Sequence, residues 1–428
     1  MAKAVTLDLI TVGDELLLGL RDNTHIATIG AQLGRSGLFI RRSVTCTDEQ
    51  AAIQENIRHA LDTGAHIVLL TGGLGPTQDD RTREALAAEL GLEMEFVPEI
   101  EAGIRERFAK MNAQFTENNL RQCYRPAGAE VLPNPFGTAP GILIRHNGVL
   151  IFAIPGPTPE MQPMLVEQVV PRICDQGFCN WGEAFLQIRT CGVGESMLEN
   201  RLQPIFDRNP SVDVAFCAHQ GMVDIRLSTE QADFTQNQLR AVADECRVEL
   251  GPDFCCFGHD TLAKVVFDFL RAGELTLSVA ESATGGLLAN AFTDIPGASK
   301  VFHGGVVCYN NDAKQDMLGV PEDMLVQHGA VSAEVAVAMA DGAAEKFGTE
   351  YALSITGYAG PSGGTPQNPV GTIYIGYHSP IGSWCVKMVR PGERTQVKHR
   401  AVTRALDVAR RKLLKYSVAD ACATMLQS

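Results

Sequence analysis

Residues 66–80 read HIVLLTGGLGPTQDD, an apolar run that ends in glycines and then in paired acids. An unbroken run of aliphatic residues suits a strand buried on both faces, as in a parallel sheet covered by helices. Two other stretches repeat the plan: VTLDLITVG (5–13) runs into Asp14, and VLIFAIPG (149–156) ends at Pro155-Gly156. IATIGAQLG (26–34) and EQAAIQENIRHALDTG (49–64) have helical spacing. Strand and helix in alternation predict an α/β domain with a parallel sheet over residues 1–170. Ligands of such sheets bind beyond the carboxyl ends of the strands, where these loops fall.

From 171 to 258 the elements shorten. FLQIRTCGVG, the helix ESMLENRLQPIF, alternating VDVAF and MVDIRLS, and the helix QNQLRAVADECRVEL predict a small α+β linking domain. From 259 to 428 a second strand and helix series begins, with strands LTLSVA, VFHGGVVCY, YALSITG, GTIYIGYH and SWCVKMV. The expected class is therefore multidomain α/β. A length of 428 residues agrees, at about 150 residues per domain.

A chain with 45% hydrophobic and 20% charged residues and 41 glycines suits a soluble α/β protein with many tight turns. A net charge of −14 disfavours direct nucleic-acid contact and binding to an anionic membrane. Basic residues concentrate only from Arg390 to Lys415, where RTQVKHRAVTRALDVARRKLL places Val397, Val402, Leu406 and Ala409 on one side of a helix. Its cations read as a solvated face or as phosphate-binding arginines. The 12 cysteines show no CxxC or zinc spacing and read as reduced, mostly buried thiols. The first apolar run is too short to span a membrane and no small-residue cleavage site follows it, so a cytoplasmic location is expected.

The stretch TGGLGPTQDD (71–80) joins a strand to the helix RTREALAAELG. Gly72, Gly73 and Gly75 let backbone approach a ligand, and Thr77 adds a hydroxyl. Asp79 and Asp80 would repel a phosphate unless a divalent cation bridged them, and Asp14-Glu15 add oxygen ligands, so a Mg²⁺-type ion against a pyrophosphate is expected. The same acids suit plain helix capping.

Ser282 follows the strand LTLSVA and precedes Thr284-Gly285-Gly286, which open the helical pattern LLANAF. A hydroxyl at such a junction can lie against amides that stabilise an oxyanion or bind phosphate; in isolation it reads as a helix cap. GGVVCYNNDAK (304–314) delivers Tyr309, Asn311 and Lys314, and SITGYAGPSGGTPQNPVG (354–371) offers Thr356, Gly357, Gly360 and Gly363-Gly364. Serine, lysine, tyrosine and glycine-rich amides are the parts of an acyl-transfer site in which lysine eases deprotonation of serine. Lys314 needs partial desolvation for that task, and a surface lysine would not have it.

GDELLLG (13–19), TGGLGPTQDD, NPFGTAPG (134–141) and PGPTPEM (155–161), with Asn119 and Gln122 in NNLRQCYRP, resemble the molybdopterin-binding-like domain of the CinA (competence/damage-inducible) family. AESATGG, VVCYNNDAK and TGYAGPSGG resemble that family's nicotinamide-nucleotide amidohydrolase domain, whose usual motifs read AES-Cys-TGG, VxYxNxxK and TGxAGPxGG. The second resemblance implies metal-free hydrolysis of nicotinamide mononucleotide to nicotinic acid mononucleotide and ammonia, in pyridine nucleotide recycling. Ser282 would attack the carboxamide, Lys314 would take its proton, and Tyr309 and Thr356 would orient the substrate. Thr284, Asn311, Gly357 and Gly360 would line it, amides of Gly285 and Gly286 would hold the oxyanion or the phosphate, and Arg400 or Arg404 would pair with the 5′-phosphate.

For the first domain the resemblance implies a metal-dependent ADP-ribose pyrophosphatase. Asp14, Glu15, Asp79 and Asp80 would hold the ion, with Gly72, Gly73, Gly75, Thr77, Asn119, Gly137 and Gly156 around ADP-ribose or a related nucleotide. A homodimer is expected. A non-catalytic nucleotide- or pterin-binding regulator is the alternative, and a molybdopterin-handling enzyme would leave the carboxy-terminal motifs unexplained. Three positions depart from the family pattern. Ala283 replaces the usual cysteine, Tyr358 replaces an isoleucine, and RDNTHIATIG departs from the usual threonine-asparagine step before the first helix.

Overall fold

HIVLLT becomes the wholly buried strand Ile67–Thr71 in the middle of a six-stranded sheet. The computed structural model describes residues 5–34, 36–179, 185–219, 221–229 and 235–414, with the backbone of 423–424. The described chain divides into two compact units, 1–185 and 186–428.

In the first unit the strand order is Ile40–Cys46, Leu7–Val12, Ile67–Thr71, Val149–Ile154, Gly141–His146, Glu130–Leu132. The first four run parallel, and the last two extend the sheet antiparallel. That extension comes from a local signal, Asn147-Gly148, whose φ values of 49° and 83° build the two-residue hairpin turn that reverses the chain. Successive strand residues feed opposite cores: Leu7, Leu9 and Leu69 meet Ile29 and Leu33, while Ile10, Val68 and Leu70 meet Ile53, Ile57 and Leu86. Both faces are thus covered, as the continuous apolar runs require.

The second unit opens with a four-stranded sheet carrying the helices Glu195–Arg208 and Gln236–Leu250 on one core. A six-stranded sheet follows, in the order Phe302–Val307, Leu277–Glu281, Tyr351–Gly357, Thr372–Ser379, Gly382–Val389, Ala423–Thr424. Leu277–Glu281 is parallel to both its neighbours, and the pairs beyond Tyr351–Gly357 are antiparallel. Helix Ala333–Phe347 packs in one core, while Leu262–Ala272 and Arg394–Leu413 pack in the other.

The last helix corrects the expectation of a solvated basic face. Asp407 and Arg410 are fully buried, and Asp407 accepts from Arg404 at 3.0 Å, Arg410 at 2.7 Å and Arg411 at 2.9 Å. Arg410 also donates to the carbonyls of Pro252 and Phe254, and Arg411 to Cys191 O and Asp253. These arginines fasten the linking domain to the helix. Lys415 lies outside the described residues. Asp407→Ala leaves buried guanidinium groups uncompensated and is expected to cost about 3–5 kcal/mol. Urea unfolding of the 186–428 unit checks this; a midpoint equal to that of the parent would contradict it.

One pair of cysteines corrects the reading of reduced thiols: Cys174 and Cys179 form a disulfide. Helix Val170–Asp175 stops at Gln176, and Gly177 at φ 76° turns the chain back, leaving the two Cα atoms 4.6 Å apart. No helix among the described residues is long and apolar enough to cross a membrane.

Candidate functional site

The buried strand Leu277–Glu281 ends at Ser282, whose amide donates to Ile355 O at 2.9 Å and ties the turn to the neighbouring strand. Glu281 is fully buried and accepts from the amides of Gly286 at 3.0 Å, Leu288 at 3.0 Å and Ala289 at 2.7 Å. Glu281 therefore satisfies the start of helix Leu287–Thr293, and Ser282 is not its cap. The Gly285 amide donates to Ser282 O. Both glycine amides expected to hold an anion are thus engaged, which leaves the Ala283 and Thr284 amides without an acceptor among the described residues. Thr284 is fully buried, and its Oγ1 has no hydrogen-bond partner among the described residues.

Helix Asn311–Leu318 starts with Asn310 capping the Ala313 amide and carries Lys314 inward. Lys314 is 1% exposed and Ser282 8% exposed. The lysine Nζ lies 3.3 Å from Ser282 Oγ, 3.0 Å from Cys308 O and 3.4 Å from Asn310 O. Burial holds its ammonium pKa below the usual lysine range, against the opposing effect of Cys308. The surface-lysine alternative falls.

Tyr309 is 64% exposed, and its hydroxyl accepts from Arg394 at 2.9 Å; Arg394 also donates to Gly360 O at 2.6 Å. Arg394 so joins the loop after Phe302–Val307 to the glycine loop. Gly360 there has φ 84°, and Gly357 packs against Thr372 O. Asn311 is exposed. Thr356 is buried and spends its hydroxyl proton on Ala330 O at 2.7 Å, so it braces the fold. Of the cations expected at phosphate, Arg400 donates to Pro391 O at 3.1 Å and Arg404 is held by Asp407. Lys398 comes instead to the Ser282 turn, 3.9 Å from where a Gly285 Cβ would stand. Arg394 and Lys398 are four residues apart and share one helix face, a spacing legible in the sequence.

In the first unit the glycines form a tight floor. A Cβ on Gly72 would strike the Val12 carbonyl, one on Gly73 the Thr82 hydroxyl, and one on Gly156 would sit 3.5 Å from Gly72 Cα. Asp80 accepts from the amides of Gly75 and Thr77, each at 2.8 Å, and from Thr77 Oγ1 at 2.5 Å, so it shapes the loop from within. Buried Arg83 braces the same loop through Leu74 O and Gly75 O. Asn119 is buried on Thr116, and Gly137 donates to Asn134 and packs against Glu160.

Asp14 and Asp48 each accept from the other's amide. Burial first, then the charges of Asp14, Glu15 and Asp79, push the Asp48 carboxyl up, against the hydrogen bond from the Asp14 amide. Asp48, overlooked in the sequence, belongs to this acidic group. Helix Thr82–Leu90 has no side-chain cap bond, so Asp79 and Asp80 do not cap it. Among the described residues no three His, Cys, Asp or Glu side chains could hold a metal ion together. Mg²⁺ commonly takes one or two carboxylates and completes its shell with phosphate and water, and the acids present fit that mode rather than an all-protein cage.

The family description "CinA C-terminal domain" matches residues 259–413, "Probable molybdopterin binding domain" matches 8–175, and "Damage-inducible protein CinA KH domain" matches 187–254. A CinA-like protein of Kosmotoga olearia is 36% identical over 95% of this chain and 98% of its own. The chain belongs to the CinA family. A competence-damage inducible protein of Symbiobacterium thermophilum is 38% identical over 96% of this chain and 99% of its own. The solved competence/damage inducible protein CihA of Agrobacterium tumefaciens is 39% identical, covers 34% of this chain and 90% of its own, and has a TM-score of 0.34. Ala283 is buried in the core beside Ser282, and the Tyr358 ring lies against Gly363.

Proposed function

We propose that the carboxy-terminal domain hydrolyses nicotinamide mononucleotide to nicotinic acid mononucleotide and ammonia. Buried Lys314 Nζ, 3.3 Å from Ser282 Oγ, carries this reading. Ser282 Oγ attacks the carboxamide carbon while its proton passes to neutral Lys314. The tetrahedral oxyanion meets the free amides of the Ala283-Thr284 turn. Lys314 returns the proton to the leaving nitrogen, ammonia departs, and a serine ester remains. Water then attacks the ester, giving a proton to Lys314; the carboxylic acid leaves and Oγ regains its proton. Arg394 and Lys398 supply the charge for the 5′-phosphate, displacing Arg400 and Arg404 from that role. Ammonia release from the nucleotide without added metal tests the reading, and no release by the parent protein would end it.

The amino-terminal domain is proposed to cleave ADP-ribose at its pyrophosphate. Support comes from the pairing of Asp14 and Asp48, each accepting from the other's amide, which sets two carboxylates side by side; burial, and then the charges of Asp14, Glu15 and Asp79, push the Asp48 carboxyl up, and a cation would relieve that repulsion. A Mg²⁺-type ion held by one or two of the carboxylates of Asp14, Glu15, Asp48 and Asp79, its shell completed by phosphate and water, would neutralise phosphate charge. The glycine floor admits the phosphate backbone, and Asp80 keeps the Gly75–Thr77 loop in shape. EDTA is expected to abolish cleavage, and Asp79→Asn to lower it about tenfold or more. Undiminished cleavage in EDTA would sink the bridging ion.

A further inference from the structure

Helix His25–Gly34 begins with Asn23 Oδ1 accepting from the His25 amide at 3.1 Å, and the imidazole turns inward until it is 8% exposed. Its Nδ1 pairs with Thr71 Oγ1 at 2.8 Å, and the ring packs beside Gly156, its Cε1 3.8 Å from where a Gly156 Cβ would stand. Thr71 ends one central strand, and Gly156 follows the next, where Thr71 and Ile154 are in register. The Gly72 amide donates to Ile154 O at 3.1 Å. The ring therefore cross-links the two strand mouths that carry Gly72 and Gly156. Neither glycine has a side chain to anchor it, so their spacing depends on backbone bonds and on this imidazole.

We infer that His25 is a positioning residue of the amino-terminal nucleotide site, holding Gly72 and Gly156 at the spacing a pyrophosphate needs. The inference rests on the ADP-ribose reading. Burial keeps the ring pKa low, against the Gly156 backbone and the charge of Glu15, and a neutral ring suits the pairing with the Thr71 hydroxyl.

The full chain is compared with His25→Ala, His25→Asn, Thr71→Val and the His25→Ala/Thr71→Val double variant. ADP-ribose affinity is measured by calorimetry in EDTA, and kcat and KM in Mg²⁺. His25→Ala is expected to weaken binding about tenfold or more, while His25→Asn, which keeps a donor and an acceptor, restores part of it. The double variant should be no worse than the weaker single, because both remove one link. Ammonia release from nicotinamide mononucleotide, assigned to the other unit, should be unchanged, and retention of the amino-terminal unit's own unfolding transition in urea serves as the control on folding. Unaltered binding by His25→Ala, beside a parent that binds, overturns the inference alone. Loss of ADP-ribose binding together with loss of the amino-terminal unit's unfolding transition makes His25 a fold residue and overturns it equally. A parent that neither binds nor cleaves ADP-ribose removes the pyrophosphatase reading and the inference with it.

Discussion

Ser282→Ala is expected to lower kcat for ammonia release by about 10³-fold or more, with the unfolding transition of the 186–428 unit retained. The loss should be this large because Oγ is the only atom proposed to bond to the carboxamide carbon. The fold should survive because Glu281, through three amides, satisfies the start of the following helix and Ser282 contributes none of that capping. Circular dichroism and urea unfolding check the second half. A variant releasing ammonia at the parental rate would leave Ser282 a structural residue in a glycine turn.

Lys314→Met keeps the length of the side chain and removes the base, and kcat should fall by about 10²–10⁴-fold. The pH profile separates this from a packing effect. Burial lowers the Lys314 pKa, so the folded protein loses this proton at lower pH than an unfolded chain does. The neutral amine is the competent form, so the parental rate should climb with pH through that lowered pKa and level off above it. Stability has the same sign: between the folded and unfolded values the unfolded chain binds more protons, and raising the pH favours the folded state. Lys314→Met should lose both slopes. A profile that keeps its rising limb in the variant would assign the limb to another group and remove Lys314 as base.

The strands were legible because their apolar runs are continuous and end in glycine, as in HIVLLTGG and LTLSVAES. The antiparallel extension was not read, because apolar runs predict only a parallel sheet; its signal is the turn Asn147-Gly148, which an apolar period does not register. Ser282 and Lys314 could be named from motif resemblance, whereas their burial depends on how two parallel strands and the helix Asn311–Leu318 pack, which local spacing does not encode. Glu281 shows the same limit: an acid at a strand end reads as a solvent-facing terminus until a helix start supplies its donors. Arg410 and Arg411 lie off the apolar stripe of their helix and so look solvated. The linking domain, distant in sequence, covers them and offers the carbonyls of Cys191, Pro252 and Phe254 as acceptors.

That final helix, Arg394–Leu413, is 20 residues and so about 30 Å of stiff rod. Its first turn grips Tyr309 and Gly360 at the mouth of the serine turn, and its last turns are bolted to the linking domain. A rod fixed at both ends cannot tilt at one alone. With Arg394 proposed to meet the phosphate, substitutions that loosen the Arg410 and Arg411 contacts should raise KM for the nucleotide from a full helix length away.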